Sequence, residues 1–406
     1  MKYSLCNNWE FTEIWSEDFC TGAPVPCQAV RLPHTCRELP LHYADPADYE
    51  MVCGYRRTLT LPDAPRLFLR FDGAAHQAAV YLNGQLVGEH LGGYTAFALE
   101  ITNFVHRDAE NLLAVRLDTR EDPALPPFGF VIDYLTYGGL YREVWLETTA
   151  ATCVTDLFVH TPTLTEAAVS VTTDATEKAA VLRVSLCAPD GAALVGQQLP
   201  AAAKAECTLT LPDAQPWGTD HPNLYTCRAE LLDAAGQVLD CRETTFGFRT
   251  AEFKADGFYL NGKKTFLRGL NRHQSYPYIG YAAPESLQRN DARILKNELH
   301  CNAVRTSHYP QSQHFLDECD KLGLLVFTEL PGWQHIGDAA WKDRACEMLR
   351  EMILQNRSHP SIILWACASM RVWTTMNFTT ERIKLRTSLT RAAQPPVCGT
   401  WKKAIC

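Results

Sequence analysis

Ionisable side chains stand at the ends of several short apolar runs within residues 258–365. His273 ends one run, Arg305 and His308 end the next, and Glu329 ends a third. They offer a guanidinium donor, two imidazoles that can donate or accept a proton, and a carboxylate acceptor. If the fold brings these run ends together, we expect a polar site capable of hydrogen bonding and proton transfer.

The runs that end in these residues have the length of β-strands and alternate with helical patterns. The strand-like runs cover residues 265–273, 302–308, 324–329 and 362–365. The helical patterns cover residues 286–297, 313–322 and 341–356. Gly323 follows the second helical pattern as a stop signal. Strands that alternate with helices and turn polar only at their C-terminal ends predict a β/α barrel with its chemistry at those ends.

Four segments of this stretch resemble glycoside hydrolase family 2, the β-galactosidase and β-glucuronidase family. They read RGLNRH, NAVRTSHYP, CDKLGLLV and HPSIILW, in this order. The resemblance implies retaining hydrolysis of terminal β-glycosides, with a carbohydrate as substrate and no cofactor. Retaining glycosidases use one carboxyl group as general acid/base and a second as nucleophile, on either side of one glycosidic bond.

Residues 1–148 are predicted to be all-β. Apolar or alternating runs of strand length occur at residues 56–61, 66–71, 78–82, 111–117 and 142–147. Asn83-Gly84 predicts a tight hairpin with a primed turn, because both residues tolerate a positive φ. The segments YLNG, GGY and GGLYR resemble the family's N-terminal jelly-roll β-sandwich, which implies a sugar-binding domain here.

Residues 149–249 are predicted to form a second all-β unit. About seven short strands in some 100 residues are typical of an immunoglobulin-like β-sandwich, and the segment PNLY resembles the family there. By the same resemblance, residues 250–365 correspond to the N-terminal half of a (β/α)8 TIM barrel. Residues 366–406 are then an aberrant tail, rich in Lys and Arg. The predicted fold class is therefore multidomain, β followed by α/β.

The resemblance assigns substrate-binding roles to several side chains, and each has a plainer alternative. Asp133 has the spacing to GGLYR of an aspartate that reaches from the jelly-roll to the sugar hydroxyls; alternatively it caps a turn. His308 matches a sugar-contacting histidine, or is a capped loop residue. His273 matches a histidine near the pocket. Arg305 supports the site by pairing with a carboxylate, or forms a salt bridge at the barrel mouth.

Two further candidates lie on or after the third predicted strand. Glu329 is kept as a candidate for substrate binding, although a buried structural ion pair is the favoured interpretation because the family's acid/base lies one strand later. Trp333 is a stacking platform for a sugar ring, or a packing residue. Family members that bind a divalent metal use a Glu-x-His segment after this strand. Because this chain has Trp333-Gln334-His335 instead, we expect no metal.

The family pattern breaks after Trp365. The family continues to an Asn-Glu pair whose glutamate is the acid/base, but Met370 and Arg371 stand at those positions. In a back-translation, one G added after the Trp365 codon gives W-G-V-R-I-N-E, which restores the pair. Some outcomes do not depend on codon choice: Thr374 becomes aspartate and Asn377 becomes glutamate. We therefore hypothesise a frameshift, either real or a sequencing error; a divergent tail with its own role is the alternative.

The break changes the functional expectation for the chain as written. Arg371 replaces the acid/base, and the strand that carries the nucleophile would lie beyond residue 406. The chain is thus expected to lack both catalytic carboxylates and to be inactive. A non-catalytic carbohydrate-binding protein is the alternative function.

The composition of the chain limits which binding partners and which cellular compartment are expected. The net charge of −8 argues against nucleic acid as a partner. No apolar run reaches the length of a membrane span, and the first residues show no apolar signal segment. Sixteen cysteines without a CxxC pair favour reduced thiols over a zinc site or a disulfide framework. We therefore expect a cytoplasmic protein; its oligomeric state is left open, with a homo-oligomer among the options.

Overall fold

The computed structural model describes residues 1–40, 45–174 and 179–366. The tail after Ala366, including the expected acid/base position at Arg371, lies outside the described residues. Among the described residues, no helix is both long and apolar enough to cross a membrane.

The first unit is an antiparallel β-sandwich. Its strands are β1 (Lys2–Ser4), β2 (Trp9–Thr12), β3 (Gln28–Val30), β4 (Val52–Leu59), β5 (Arg66–Phe71), β6 (Gln77–Leu82), β7 (Gln85–Leu91), β8 (Phe97–Glu100), β9 (Asn111–Asp118) and β10 (Val144–Thr149). A short helix, α1 (Glu17–Cys20), and a 3-10 turn (Pro46–Tyr49) interrupt them. The sheets have the orders β1-β10-β5-β8 and β3-β2-β4-β9-β6-β7. One apolar core takes side chains from both sheets, as the predicted jelly-roll requires.

The hairpin between β6 and β7 confirms the predicted turn. Asn83 and Gly84 have φ values of 54° and 77°. Both residues therefore adopt the left-handed conformation that a primed two-residue turn needs. The turn joins Leu82 to Gln85, which are paired across the two strands.

The second unit is a smaller antiparallel β-sandwich. Its strands are β11 (Cys153–His160), β12 (Glu166–Asp174), β13 (Val181–Cys187), β14 (Ala193–Pro200), β15 (Lys204–Thr210), β16 (Tyr225–Leu232) and β17 (Val238–Phe246). They form one sheet of order β11-β12-β15 and one of order β14-β13-β16-β17. Two sheets of this size over one apolar core agree with the predicted immunoglobulin-like fold.

The third unit contains the predicted partial barrel. A small antiparallel sheet, β18 (Ala251–Lys254), β19 (Gly257–Leu260) and β20 (Lys263–Thr265), leads into it. The parallel strands are β21 (Gly269–Arg272), β22 (Ala303–Thr306), β23 (Leu325–Glu329) and β24 (Ile362–Ala366), in that order in the sheet. The helices are α2 (Glu285–Arg293), α3 (Gln313–Leu322) and α4 (Ala339–Asn356). Four parallel strands in chain order with helices between them confirm the β/α pattern.

Two predicted elements differ in detail from those observed. The run 265–273 is divided, because Thr265 pairs antiparallel within the small sheet while the barrel strand begins at Gly269. The helix predicted over 286–297 is α2 followed by a π-helical turn (Ile294–Glu298). The apolar spacing of the sequence does not distinguish these two hydrogen-bonding patterns.

The predicted helix stop is confirmed at the end of α3. The hydroxyl of Ser312 accepts a hydrogen bond from the His314 N–H at 3.2 Å at the start of this helix. Gly323 has a φ of 68° at its end. A Cβ on Gly323 would lie 2.6 Å from the backbone oxygen of Gly218, so only glycine fits this junction with the second unit.

Hydrogen bonds hold both β-sandwiches against the barrel. Thr95 in the first sandwich donates to the carboxylate of Glu351 on α4 at 2.6 Å. The indole N–H of Trp341 donates to the carbonyl of Phe128 at 3.2 Å. From the second sandwich, Arg249 donates to two backbone carbonyls in the chain entering β24, at 2.7 and 2.8 Å. The Trp341 bond holds the backbone of Phe128, where the loop to Asp133 begins, against α4.

Candidate active site

The parallel register brings the ends of the barrel strands to one edge of the sheet. Asn271 on β21 pairs with Arg305 on β22, and Thr306 pairs with Thr328 on β23. Glu329 in turn pairs with Ala366, the last residue of β24. The polar residues that follow each strand are therefore neighbours, as the β/α pattern predicts.

Glu329 is held by two cationic or proton-donating neighbours. Arg305 donates to it through Nε at 2.5 Å and through Nη2 at 3.1 Å. Nδ1 of His308 lies 3.0 Å from Oε2 of the same carboxylate. The Glu329 side chain is 9% exposed, so the carboxylate is buried, and its hydrogen bonds from Arg305 are charge-assisted. A carboxylate with this many donors serves to orient Arg305 and His308.

His273 faces the same group from the end of β21. Its Nδ1 lies 3.2 Å from the hydroxyl of Tyr309, and its ring meets that of His308 edge to face at 5.5 Å. Burial lowers the pKa of His273, and the neighbouring His308 and Arg305 lower it further, whereas the Asp133 carboxylate acts in the opposite direction. His273 is thus held as a neutral imidazole that can donate and accept a hydrogen bond at neutral pH.

Tyr134 is a residue of this site that the sequence reasoning missed. Its ring centre lies 5.5 Å from that of His273 and 5.6 Å from that of His308. Its hydroxyl is buried and has no hydrogen-bond partner among the described residues. Burial is the main cause that raises the pKa of Tyr134 well above its usual value, with Tyr309 and Asp133 adding to it. The one signal in the sequence was its position directly after Asp133.

Asp133 and Trp333 complete the group. Asp133 is exposed on the loop from the first sandwich, and its charge acts on both His273 and Tyr134. The ring of Trp333 lies 4.6 Å from that of His308, tilted by 57°. The structure therefore brings together the six residues proposed from the sequence. The group combines aromatic faces with donors and acceptors, the usual means of binding a sugar.

The segment considered for a metal has a different environment. The ring of His335 lies against Gly129, where a Cβ would approach it to 2.3 Å, and makes an edge contact with Trp341 at 5.9 Å. Within the described residues, the one group that could hold a metal is Asp317, Asp320 and His359. His359 follows α4 and precedes β24, so this group lies at the opposite end of the strands from Glu329.

Three family models match consecutive parts of the chain. The model for the sugar-binding domain of glycosyl hydrolases family 2 matches residues 30–150, and the general model for this family matches residues 152–249. The model for its TIM barrel domain matches residues 251–380. The last match includes positions 370 and 371, where this chain has Met370 and Arg371.

Curated relatives and solved structures point to the same family. The chain is 41% identical over 351 residues to a β-galactosidase of Thermoanaerobacter pseudethanolicus, covering 83% of this chain and 47% of the relative. It is 33% identical over 387 residues to a putative β-glucuronidase of Formosa agariphila, covering 92% and 46%. The crystal structure of a β-glucuronidase of Parabacteroides merdae matches with a TM-score of 0.86 at 28% identity, covering 97% and 54%.

These matches run through all three units of the chain, and the chain spans about half the length of the curated relatives. The three models together cover residues 30–380, and the predicted resemblance is therefore confirmed. The chain belongs to glycoside hydrolase family 2.

Proposed function

We propose that this chain supplies the part of a retaining β-glycosidase site that binds the terminal sugar. The observation that carries the proposal is the buried cluster of Arg305, His308 and Glu329 at the strand ends, with the Trp333 ring against His308 and the Asp133 charge acting on His273. Its aromatic faces suit the apolar face of a pyranose, and its donors and acceptors suit the hydroxyl groups.

Catalysis needs carboxylates that this cluster does not supply. Glu329 is already engaged by Arg305 and His308, so we assign it an orienting role and not that of general acid. The acid/base is proposed to belong at position 371, where the sequence has arginine. Hydrolysis of terminal β-glycosides is thus proposed for the protein with its Asn-Glu pair restored, and sugar binding without turnover for the chain as written.

Sequencing of the genomic DNA across the Trp365 codon tests the first part. Four consecutive Gs at this codon boundary, in place of three, would restore the Asn-Glu pair and support the enzyme. Three Gs would leave non-catalytic carbohydrate binding as the function of this chain.

Calorimetry on the purified chain tests sugar binding. The titrants are methyl 1-thio-β-D-galactoside and methyl 1-thio-β-D-glucuronide, since relatives carry both activities in their names. We expect one of them to bind and Asp133→Asn to weaken that binding about tenfold, because one charge-assisted hydrogen bond is lost. The matched control is Asp63→Asn, whose side chain is fully exposed in the same sandwich. Binding of neither compound, or equal binding by both variants, would contradict the proposal.

We propose a reducing, cytoplasmic location and no partner among nucleic acids or membranes. In support, the cysteines of the described residues are all free, and most of them are buried. The oligomeric state, including a homo-oligomer, is to be measured by light scattering on the purified chain.

A further inference from the structure

Arg142 is a buried cation that joins the first sandwich to the barrel unit beside the candidate site. It is the last residue of the GGLYR segment and is 4% exposed. Its guanidinium donates to four uncharged oxygens of the described residues. A buried charge without a counter-charge among its hydrogen-bond partners is costly to keep in a fold. The cost indicates a role for Arg142 beyond packing.

The Arg142 guanidinium holds both units at once. Nη1 donates to the carbonyls of Tyr94 at 3.0 Å and Asp72 at 3.2 Å, both in the first sandwich. Nη2 donates to the carbonyl of Pro310 at 2.9 Å and to the amide oxygen of Gln274 at 3.2 Å, both in the barrel unit. Because a guanidinium is planar and rigid, it fixes the positions of the two barrel acceptors relative to the sandwich.

The two barrel acceptors belong to the segments that carry the histidines of the candidate site. Gln274 directly follows His273, just after the end of β21. Pro310 comes two residues after His308, in the segment that follows β22. Gln274 is fully buried, so water does not replace Arg142 as the donor to its amide oxygen. Each histidine therefore lies within two residues of a point that Arg142 holds.

Tyr309 adds a second connection between the sandwich and the His273 ring. Its hydroxyl lies 3.2 Å from Nδ1 of His273. Its own ring stacks on the ring of Tyr94 in the first sandwich, at 4.5 Å with 14° between the planes. Since the Tyr94 carbonyl also accepts from Arg142, the stacked ring and the guanidinium hold the same barrel segment against the same part of the sandwich.

The position of Arg142 suits arginine and does not suit lysine. A Cβ on Gly73 would lie 2.9 Å from Cδ of Arg142, so the sandwich leaves room for the side chain only because glycine stands there. Lysine offers a single nitrogen, which cannot serve four oxygens on two sides as a planar fork does. Arg142→Lys therefore keeps the charge and removes part of the bridge.

We propose that Arg142 is a positioning residue of the candidate site, which sets the places of His273 and His308 from the first sandwich. It acts through Gln274 and Pro310, because both of its Nη atoms are engaged by the protein. A displacement of about 1 Å is enough to impair a site built from several convergent groups. This inference rests on the proposed function, because it takes the two imidazoles as part of the site for the terminal sugar.

Calorimetry on the full chain compares Arg142→Lys with a matched control, Arg249→Lys. Arg249 also donates to two backbone carbonyls of the barrel unit, but at the opposite end of the strands. The titrants are methyl 1-thio-β-D-galactoside and methyl 1-thio-β-D-glucuronide. We expect Arg142→Lys to weaken glycoside binding about tenfold and Arg249→Lys to leave it within about twofold. Urea denaturation shows that both variants are folded and how much stability each has lost.

A second measurement follows the histidine rings by NMR and needs no sugar. The chain is labelled with isotope-enriched histidine, and each ring signal is assigned by its loss in a His→Gln variant. Arg142→Lys is expected to shift the signals of His273 and His308 and to leave that of His359 in place. Arg249→Lys is expected to shift the His359 signal alone, because it loosens the residues that follow His359. A general loss of stability would not divide the signals in this way.

Gln274→Met is a milder variant that decides the question where Arg142→Lys does not fold. It removes one acceptor of Arg142 and keeps the bond to the Pro310 carbonyl. The His273 signal should therefore shift more than the His308 signal. Glycoside binding should weaken less than tenfold but more than about twofold.

The outcomes separate this inference from the proposed function. If the unmodified chain binds a glycoside, but Arg142→Lys or Gln274→Met leaves the affinity or the His273 signal unchanged, the positioning role is wrong and the proposed function stands. If Arg249→Lys weakens binding as much as Arg142→Lys, the loss reflects stability and the inference is again wrong. If no glycoside binds the unmodified chain, the proposed function fails, and the inference fails with it.

Discussion

The barrel unit contains two buried pairs of a histidine with a carboxylate, one at each end of its strands. At the C-terminal ends, Nδ1 of His308 lies 3.0 Å from Glu329. At the other end, Nδ1 of His359 lies 2.5 Å from Asp320. The side chains are similarly buried, at 8% and 9% exposed for the first pair and 10% and 4% for the second. Burial and pairing therefore do not tell which pair belongs to a site.

The difference lies in what else the two pairs contact. The second oxygen of Asp320 accepts from the Ser361 N–H at 3.0 Å, and Nε2 of His359 lies 3.1 Å from the Gln313 amide oxygen. This network is closed, with every polar atom of the pair in use. Nε2 of His308, in contrast, makes no hydrogen bond to another described residue, and its ring faces Trp333. The closed pair, His359 and Asp320, fixes the start of β24. The open pair, His308 and Glu329, keeps a polar atom and an aromatic face for a ligand.

The largest expected effect tests the closed pair. Asp320→Ala removes the partner of a buried histidine and of a buried N–H, which should cost about 3–5 kcal/mol of unfolding free energy. Urea denaturation followed by tryptophan fluorescence measures this. A cost below about 1 kcal/mol would mean that the pair is no more structural than an exposed ion pair.

A smaller loss of stability and a larger loss of binding are expected at the open pair. Glu329→Gln keeps the shape but leaves Arg305 without its counter-charge, which should cost about 2 kcal/mol of unfolding free energy. Because Arg305 and His308 then lose their orientation, glycoside affinity should fall more than tenfold. Asp320→Asn is the matched control: it is also a loss of one buried charge, but at the far end of the strands. Equal effects of both variants on affinity would remove the distinction between the pairs.

The sequence predicted the open pair better than its surroundings. Arg305, His308 and Glu329 could be placed at one edge because apolar runs that turn polar reveal both the strands and their direction. Tyr134 could not be placed there, since its contact with His273 depends on a loop that crosses from the first sandwich to the barrel. The neighbouring Asp133 was found only through its spacing to GGLYR. Contacts between units depend on docking geometry, which local patterns do not encode.

The same limit applies to the pair at the other end of the strands. His359 begins the segment HPSIILW that leads into β24, and nothing in that segment indicates that Asp320, 39 residues earlier, is its partner. The pairing follows from the packing of α3 beside the start of β24. Strand direction, which the sequence does reveal, is what assigns one end to stability and the other to the site.

Two histidines at these opposite ends should give opposite pH dependences of stability. Burial lowers the pKa of His359, but the charge and hydrogen bond of Asp320 outweigh it, so the net pKa is raised. Its contribution is then complete below the unfolded value near 6.5 and is lost as the pH rises above it. His273 has a lowered pKa, mainly through burial. The unfolded state binds its proton first, so the folded state is penalised as the pH falls below about 6.5.

Urea denaturation between pH 5 and pH 8 resolves the two effects by subtraction. The difference between the unmodified chain and His359→Gln should shrink as the pH rises above neutrality. The difference between the unmodified chain and His273→Gln should grow as the pH rises from 5. Two differences that change in the same direction with pH would show that His273 is paired as closely as His359, which would contradict the open character of the site.

The smallest expected effect concerns the aromatic face of the open pair. Trp333→Phe keeps a ring beside His308 but reduces its area, whereas Trp333→Ala removes it. We expect Trp333→Ala to weaken glycoside binding by about 1 kcal/mol, the usual value of one aromatic contact, and Trp333→Phe to lose less than half of that.

Trp217→Phe is the control for the loss of an indole, because Trp217 is fully buried and donates to the Asp320 carbonyl at 2.8 Å. It should lower stability without changing affinity, as a contact at the closed end must. A change in affinity for Trp217→Phe as large as that for Trp333→Ala would mean that the two ends of the strands are coupled, and that strand direction alone does not separate site from support.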